Sequence, residues 1–234
     1  MEFDAIILAG GRSSRLDGVP KSGLIYDGAT LLERSLSAAG AAARTVVVGP
    51  DPGNLPAGVL TCREEPPFAG PAAAIAAGLG ALAADHAARP GAAAPAPFTL
   101  VLACDMPRSA AAVRVLAESL AVAPERDRGE GVMAVSEDGR KQPLAGFYGT
   151  AALQRCVTDA VHRGSLENAS VFALLARLDV REVRVPRGST NDVDTWDDAS
   201  ALGVSGRIPD LGPGSGSGAP QLNSTMEANG EKPG

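Results

Sequence analysis

The chain has 234 residues, of which 45% are hydrophobic and 21% charged, and its formal net charge is -6. This composition is typical of a globular protein with a substantial core, and its acidic balance argues against a general binder of nucleic acids or anionic membranes. No apolar run approaches the roughly 18 residues of a membrane span, and the scattered cysteines form neither a disulfide framework nor a zinc pattern. We therefore expect a cytoplasmic protein that binds neither nucleic acid nor membrane.

Short apolar segments alternate with longer segments rich in alanine and leucine up to about residue 203. Continuous apolar runs at 5–8, 45–48 and 99–103 are typical of strands in a parallel sheet that is covered on both faces. Helices are predicted around 31–36, 71–84, 109–121, 150–161 and 168–177, and later strands near 131–135, 144–148 and 180–185. Because strands and helices alternate, the sequence predicts an α/β sandwich with a mostly parallel sheet.

Local signals mark where several elements begin and end. Thr30 with Glu33 three residues later is the pattern of a capping box, and Pro71 suits the first turn of a helix. The Ala/Pro/Gly-rich stretch from His86 to Pro97 is expected to interrupt a helix and form a surface loop. Residues 204–234 are rich in Gly, Pro and Ser with almost no apolar side chains, so they are predicted to form a disordered tail.

The strongest local signal is the segment LAGGRSSRLDGVPKSGL, which begins at Leu8, where a predicted strand ends. Gly10 and Gly11 permit a sharp turn and let backbone N–H groups approach an anion without an intervening Cβ. Three cations follow in the same segment: Arg12, Arg15 and Lys21. Backbone donors and arginine side chains together suit a triphosphate, whereas the alternative is a surface turn with solvated charges. The segment contains no P-loop. It also lacks the GxGxxG pattern, and this second absence disfavours a dehydrogenase.

Asp105 follows directly after the predicted strand at 99–103. Ligands of open α/β sheets bind at the carboxyl ends of the strands, and Mg²⁺ prefers one or two carboxylates together with substrate oxygens. Asp105 is therefore a candidate metal ligand, with capping of the following helix as the alternative.

A second acidic segment, DVDTWDD, lies near the end of the predicted domain. Asp194 is a candidate to share the metal with Asp105, while Thr195 or a later aspartate caps the final helix. Capping or plain solvent exposure is favoured for the other three aspartates: Asp192, Asp197 and Asp198.

Glu64 and Glu65 also follow an apolar strand, and the segment PPFAGP leads from them into the helix that starts at Pro71. The positive end of that helix is expected to face the same site. Phe68 is a candidate base contact or lid, with buried packing as the alternative. Gln142 is a candidate for reading a base edge or orienting an acceptor.

Five segments occur in a characteristic order: LAGGRSSR with a later PK, PPFAGP, CDMP, QPLAGF and DVDTWDD. In this order they resemble the MobA-type nucleotidyltransferases, which make molybdenum guanine dinucleotide from molybdopterin and GTP. The resemblance covers residues 1–203. It implies a single domain with the three-layer α/β/α, Rossmann-like nucleotidyltransferase fold and a mostly parallel sheet.

The resemblance also implies roles for individual residues at matching positions. It implies that Asp105 binds Mg²⁺ with Asp194 as the second ligand, and that the family's acidic position falls on Glu64 or Glu65. The expected catalytic residues are Arg15, Lys21 and Asp105. The expected nucleotide-binding residues are Leu8, Ala9, Gly10, Gly11, Arg12, Lys21, Glu64, Gly70 and Asp105.

The sequence departs from the family where the substrate is concerned, because its late segment reads NDVDT where guanylyltransferases typically have NINT. An aspartate there resembles the cytidylyltransferase relatives. The expected reaction transfers GMP from GTP, or another NMP from its NTP, to molybdopterin with release of pyrophosphate. The alternatives are a cytidylyltransferase or sugar-phosphate nucleotidyltransferase of the same fold, or a nucleotide-binding protein without catalysis. Chaperones of molybdoenzymes are candidate protein partners.

Overall fold

The computed structural model describes residues 1–11, 13–89, 95–124 and 129–206. Its strands are β1 (Phe3–Leu8), β2 (Ile25–Tyr26), β3 (Ala29–Thr30), β4 (Thr45–Val48), β5 (Val59–Cys62), β6 (Phe98–Ala103), β7 (Gly131–Val135), β8 (Lys141–Gly149), β9 (Val180–Arg184) and β10 (Val204–Ser205). Its helices are α1 (Leu31–Ala38), α2 (Pro71–Ala88), α3 (Ser109–Val122), α4 (Thr150–His162), α5 (Val171–Leu175) and α6 (Trp196–Leu202).

A seven-stranded sheet runs through the centre of the molecule in the order β5-β4-β1-β6-β8-β7-β9. Neighbouring strands are parallel except at β8, which is antiparallel to both β6 and β7. All six residues of β1 are buried, since helices cover both faces of the sheet. The predicted mostly parallel sheet is confirmed.

Alternation along the central strands sends successive side chains into two separate cores. Ile7 packs on one face with Leu32 of α1 and Leu116 of α3. Its neighbour Ile6 packs on the other face with Ile75 of α2, in a core that α4 and α5 complete. The chain is therefore the three-layer α/β/α sandwich that the sequence predicts.

A third, smaller core joins two segments that are far apart in the sequence. Leu16, Leu24 and Leu31 pack against three residues from the other end of the domain: Val193, Ala199 and Val204. Beside this core, β10 pairs antiparallel with β2, so Val204 and Ser205 belong to a three-stranded sheet although the prediction counts them with the tail. Residues 207–234 lie outside the described residues.

Several local predictions can be compared with the structure directly. The capping box at α1 is present, since Thr30 Oγ1 accepts from the Glu33 N–H and Glu33 Oε2 accepts from the Thr30 N–H. Pro71 is the first residue of α2, as predicted.

Helix α2 continues to Ala88, so the loop predicted from residue 86 begins later. Residues 90–94 of that predicted loop lie outside the described part. In the described ranges, no helix is long and apolar enough to cross a bilayer.

Two glycines of α2 offer a test of how closely this helix packs on β1. A Cβ on Gly78 would lie 2.8 Å from Cγ2 of the fully buried Ile6, whereas one on Gly80 would meet no atom within 4 Å. Gly80→Ala should raise the free energy of unfolding by up to about 1 kcal/mol through helix propensity. Gly78→Ala should lower it by about 1–2 kcal/mol net, because overpacking outweighs the same gain. Urea denaturation of both variants measures these changes, and equal stabilisation by the two would contradict the tight packing.

Candidate functional site

A cleft of about 360 Å³ opens at the carboxyl ends of β1 and β6. Its lining includes seven of the residues expected to form the site: Leu8, Gly10, Gly11, Lys21, Glu64, Gly70 and Asp105. Ala9 lies in an adjoining hollow that shares Gly10, Gly11 and Lys21 with the cleft. Arg15 is exposed and lines neither space, and Arg12 lies outside the described residues. The structure thus brings together most of the predicted set at one edge of the sheet.

The glycine-rich turn is held by backbone contacts to both neighbouring strands. The Ala9 N–H donates to the carbonyl of Val48, and the Leu8 carbonyl accepts from the Cys104 N–H. Gly49 has φ +150°, and a Cβ on it would lie 2.8 Å from the backbone nitrogen of Gly10. Sequence reasoning missed Gly49, although a glycine directly after the apolar run of β4 is a signal of close backbone approach.

Lys21 forms the electrostatic centre of the site. Its Nζ donates to Oδ2 of Asp105 at 2.8 Å and to Oδ1 of Asp194 at 2.5 Å. The Lys21 side chain is only 18% exposed. Although partial burial opposes the charged form, the two carboxylates raise the pKa of Lys21 above the ordinary lysine value. Lys21 is therefore a firmly charged ammonium group held between two aspartates.

The partners of Lys21 are positioned by the backbone rather than by their side chains. The Val193 N–H donates to the carbonyl of Asp105, which ties the late acidic segment to the end of β6. Val193 itself is fully buried in the third core, between the two aspartates that flank it. Helix α3 begins after Arg108, and no side chain caps it in the described structure, so the alternative role of Asp105 as a helix cap is wrong.

Three carboxylates meet beside Lys21. Asp105, Asp192 and Asp194 each contribute one oxygen, and these oxygens lie within 4.8 Å of one another. Burial and the negative charge of Asp105 raise the pKa of Asp192 above the usual aspartate value. Hard oxygen donors that converge in this way fit a divalent cation such as Mg²⁺. The triad is thus a candidate metal centre.

The structure separates Asp192 and Asp194 from the two later aspartates of their segment. Asp198 and Thr195 form a capping box at the start of α6, and Asp197 lies in the first turn of that helix, as predicted. Asp192 caps no helix in the described structure, and it is exposed, as one of its two expected roles requires; its carboxylate also lies beside those of Asp105 and Asp194, a grouping that the sequence did not predict. The two-residue spacing of Asp192 and Asp194 around a buried valine is the signal that sequence reasoning overlooked, since alternation places both on one side.

Glu64 and Glu65 have different surroundings. Glu64 is 6% exposed and lines the cleft, where its Oε1 accepts from the Phe68 N–H. Its Oε2 is buried and has no hydrogen-bond partner among the residues that the structure describes. Glu65 is exposed and does not line the cleft. Of the two candidates for the acidic position, Glu64 is the one that lies at the site.

The segment between Glu64 and α2 shapes the outer wall of the cleft. Phe68 has φ +66° and lines both the cleft and the adjoining hollow, with the Arg63 guanidinium 5.1 Å from its ring centre. Gly70 has φ +93°, and a Cβ there would lie 3.4 Å from Cα of Asn168. Gly70 therefore serves the close packing of this segment as well as the lining of the cleft.

A separate hollow of about 470 Å³, which we call the acceptor hollow, lies next to Asp192 of the triad. It is lined by the β7–β8 turn, by Gln142, by α6 and by five residues before α6: Arg187, Gly188, Thr190, Asn191 and Asp192. Asp192 belongs both to its lining and to the triad. Gln142 thus lies in this hollow rather than in the cleft beside the glycine-rich turn.

Residues 5–180 of the chain match the family model of the MobA-like NTP transferase domain. No curated protein matches the sequence significantly. Among solved structures, molybdopterin-guanine dinucleotide biosynthesis protein A from Archaeoglobus fulgidus is similar with a TM-score of 0.58 and 18% identity, over 85% of this chain and 96% of that one.

Cytidylyltransferases are similar to a comparable degree. The 2-C-methyl-D-erythritol 4-phosphate cytidylyltransferase from Thermus thermophilus has a TM-score of 0.59 and 21% identity, over 86% of this chain and 97% of that one. The enzyme of the same name from Francisella tularensis has a TM-score of 0.64 and 12% identity, over 87% of this chain and 99% of that one. At these identities the likeness establishes the fold. Together with the family match, it shows that the chain belongs to the MobA-like NTP transferase domain family and is a nucleotidyltransferase.

Proposed function

We propose that the protein transfers GMP from GTP to molybdopterin, with Mg²⁺ as its metal and pyrophosphate as the second product. The observation that carries the choice of nucleotide is that Glu64, a hydrogen-bond acceptor with a second oxygen not engaged by any described residue, lines the cleft. The likeness to a molybdopterin-guanine dinucleotide biosynthesis protein supports the choice of acceptor.

A carboxylate in the cleft favours guanine over the other bases. An ionised carboxylate only accepts hydrogen bonds, and it accepts two parallel bonds especially well. Guanine presents two adjacent donors, N1–H and the 2-amino group. Cytosine and adenine place a single amino donor beside a ring nitrogen acceptor, and uracil places its one N–H between two carbonyls. Glu64 therefore matches guanine best.

The triphosphate is proposed to lie against the glycine-rich turn. Gly10 and Gly11 supply backbone N–H groups, and Lys21 supplies a charge near the end of β6. Arg12 and Arg15 are proposed to complete the set of cations for the leaving pyrophosphate. Asp105 and Asp194, with Asp192, would hold Mg²⁺, which when bound neutralises charge that develops on the transferred phosphate.

The acceptor is proposed to enter through the hollow beside Asp192. Its lining includes Arg140 and Arg187, the latter paired with Glu137, and arginine side chains suit the phosphate of molybdopterin. An acceptor phosphate oxygen attacks the α-phosphorus, a P–O bond forms, and the bond between the α- and β-phosphates breaks. The protein needs no general base, because the acceptor phosphate is already ionised at neutral pH. Its contribution is to position the reactants and to stabilise charge.

The first test is a panel of the four nucleoside triphosphates with Mg²⁺, with and without molybdopterin, in which pyrophosphate release is measured. Release with GTP that depends on molybdopterin, and that Asp105→Ala abolishes, is the expected result. Release with CTP instead would favour the cytidylyltransferase alternative, to which the aspartates of the late segment and two of the similar structures point. Binding of a nucleotide without turnover on any acceptor would favour a protein that only binds.

Glu64→Gln tests the recognition of guanine. The amide places a donor where guanine also donates, so kcat/KM for GTP should fall by about 10- to 100-fold, the loss expected for one bidentate contact. Activity with the other nucleotides should not fall with it. Glu65→Gln, at the exposed neighbouring position, is the matched control and should leave the GTP value unchanged. A parallel loss with all four nucleotides in Glu64→Gln would contradict a role in base selection.

Arg140→Ala tests the acceptor hollow. Loss of a guanidinium that contacts a phosphate should raise KM for molybdopterin by about tenfold, while KM for GTP stays the same. Arg184→Ala, on β9 and outside the hollow, is the control. Steady-state kinetics with each substrate varied in turn separates the two constants, and a change confined to KM for GTP would place the acceptor elsewhere.

A further inference from the structure

Lys21 contacts carboxylates that could otherwise hold a metal ion. It bonds Asp105 and Asp194, which are two of the three carboxylates of the triad. The same carboxylates that fit a divalent cation are thus engaged by an ammonium group. Since two cations at one position repel each other, Lys21 and a metal ion compete for these ligands.

The contact differs from an exposed ion pair because both the side chain and the backbone of Lys21 are held in place. The Lys21 side chain is largely buried, and its backbone begins a 3₁₀ turn that leads into the fully buried Leu24. The sequence contains only three lysines, and the other described one, Lys141, pairs with Glu182 on the surface. A lysine rather than an arginine here supplies a compact charge on a flexible stem, which can change partners.

We propose that Lys21 is a built-in counter-ion of the acidic triad, which keeps free metal out until a nucleotide's phosphates draw the ammonium group away. The inference rests on the proposed function only in taking a triphosphate as the new partner of Lys21. The nucleotide and the metal then enter as one complex, because the phosphates both release the carboxylates and bring the metal to them. Lys21 thereby selects the metal–nucleotide complex over either component alone.

The proposal predicts opposite effects of one substitution on two affinities. Lys21→Met removes the charge and keeps an unbranched side chain, so the triad loses its counter-ion and the phosphates lose a cation. Free metal should then bind more tightly, while the nucleotide should bind more weakly. A lysine that only stabilised the fold, or that only bound phosphate, would not produce this pair of changes.

The experiment titrates the nucleotide-free, full-length protein with Mn²⁺ and measures free Mn²⁺ by electron paramagnetic resonance. Lys21→Met should bind Mn²⁺ at least about fivefold more tightly than the wild type, the lower end of common coupling between sites. Lys141→Met is the matched control and should not differ from the wild type. Lys21→Arg keeps the positive charge and should leave Mn²⁺ binding weak. A second titration, with the α,β-methylene analogue of GTP, should show weaker nucleotide binding by Lys21→Met.

Unchanged or weaker Mn²⁺ binding by Lys21→Met would overturn the proposal. Circular dichroism establishes that the variant is folded, and Lys21→Gln carries the same test if the methionine variant is not. The Mn²⁺ titration contains no nucleotide and no acceptor, so its outcome does not depend on which base the protein prefers. Failure of the GTP panel would therefore leave this result standing, and tight Mn²⁺ binding by the wild type would refute the counter-ion while leaving nucleotidyl transfer intact.

Discussion

Repulsion among three aspartates at one edge of the sheet is the constraint around which the site is built. The three carboxylate oxygens lie within 4.8 Å of one another, and burial, followed by the negative charge of Asp105, raises the pKa of Asp192 above the usual aspartate value. Lys21 offsets part of this charge by contacting two of the three groups. The late acidic segment is held against the end of β6 by the bond from the Val193 N–H to the Asp105 carbonyl and by the burial of Val193 in the third core. Clustered negative charge destabilises the folded state, and the same carboxylates are the candidate ligands of a divalent cation.

The rest of the site depends on how closely the strand ends approach one another. The turn after β1 passes so near to Gly49 that no side chain fits between them, and its backbone bonds reach both neighbouring strands. Gly10 and Gly11 line the cleft and have no side chains, so an anion could approach their backbone N–H groups directly. The same cleft is lined by two chemically different side chains, the carboxylate of Glu64 and the ammonium of Lys21. Base and phosphates of one nucleotide can therefore be recognised by separate parts of a single cleft.

Much of this architecture was predictable because its signals are local. The apolar runs of β1, β4 and β6 mark strands covered on both faces, and the capping box at Thr30 marks the start of α1. The reversed direction of β8 was not predictable, since a strand's apolar pattern does not record the direction of its neighbours. The choice between Glu64 and Glu65 depends on burial after a turn, which adjacent residues of the same type do not reveal. Asp192 was expected to cap a helix or face solvent, because its grouping with Asp105 arises only when distant segments meet.

The third core affects how the protein folds during its synthesis. Lys21 and Asp194 are 173 positions apart in the sequence, and the apolar residues that hold them together come from the two ends of the domain. During synthesis the early half of the sheet can form while the late acidic segment is still inside the ribosome, yet the ammonium group then has only Asp105 as a partner. Contacts of such long range form late and slowly. Completion of the charged centre thus coincides with closure of the whole domain, so that a truncated or partly folded chain lacks the contact between Lys21 and Asp194.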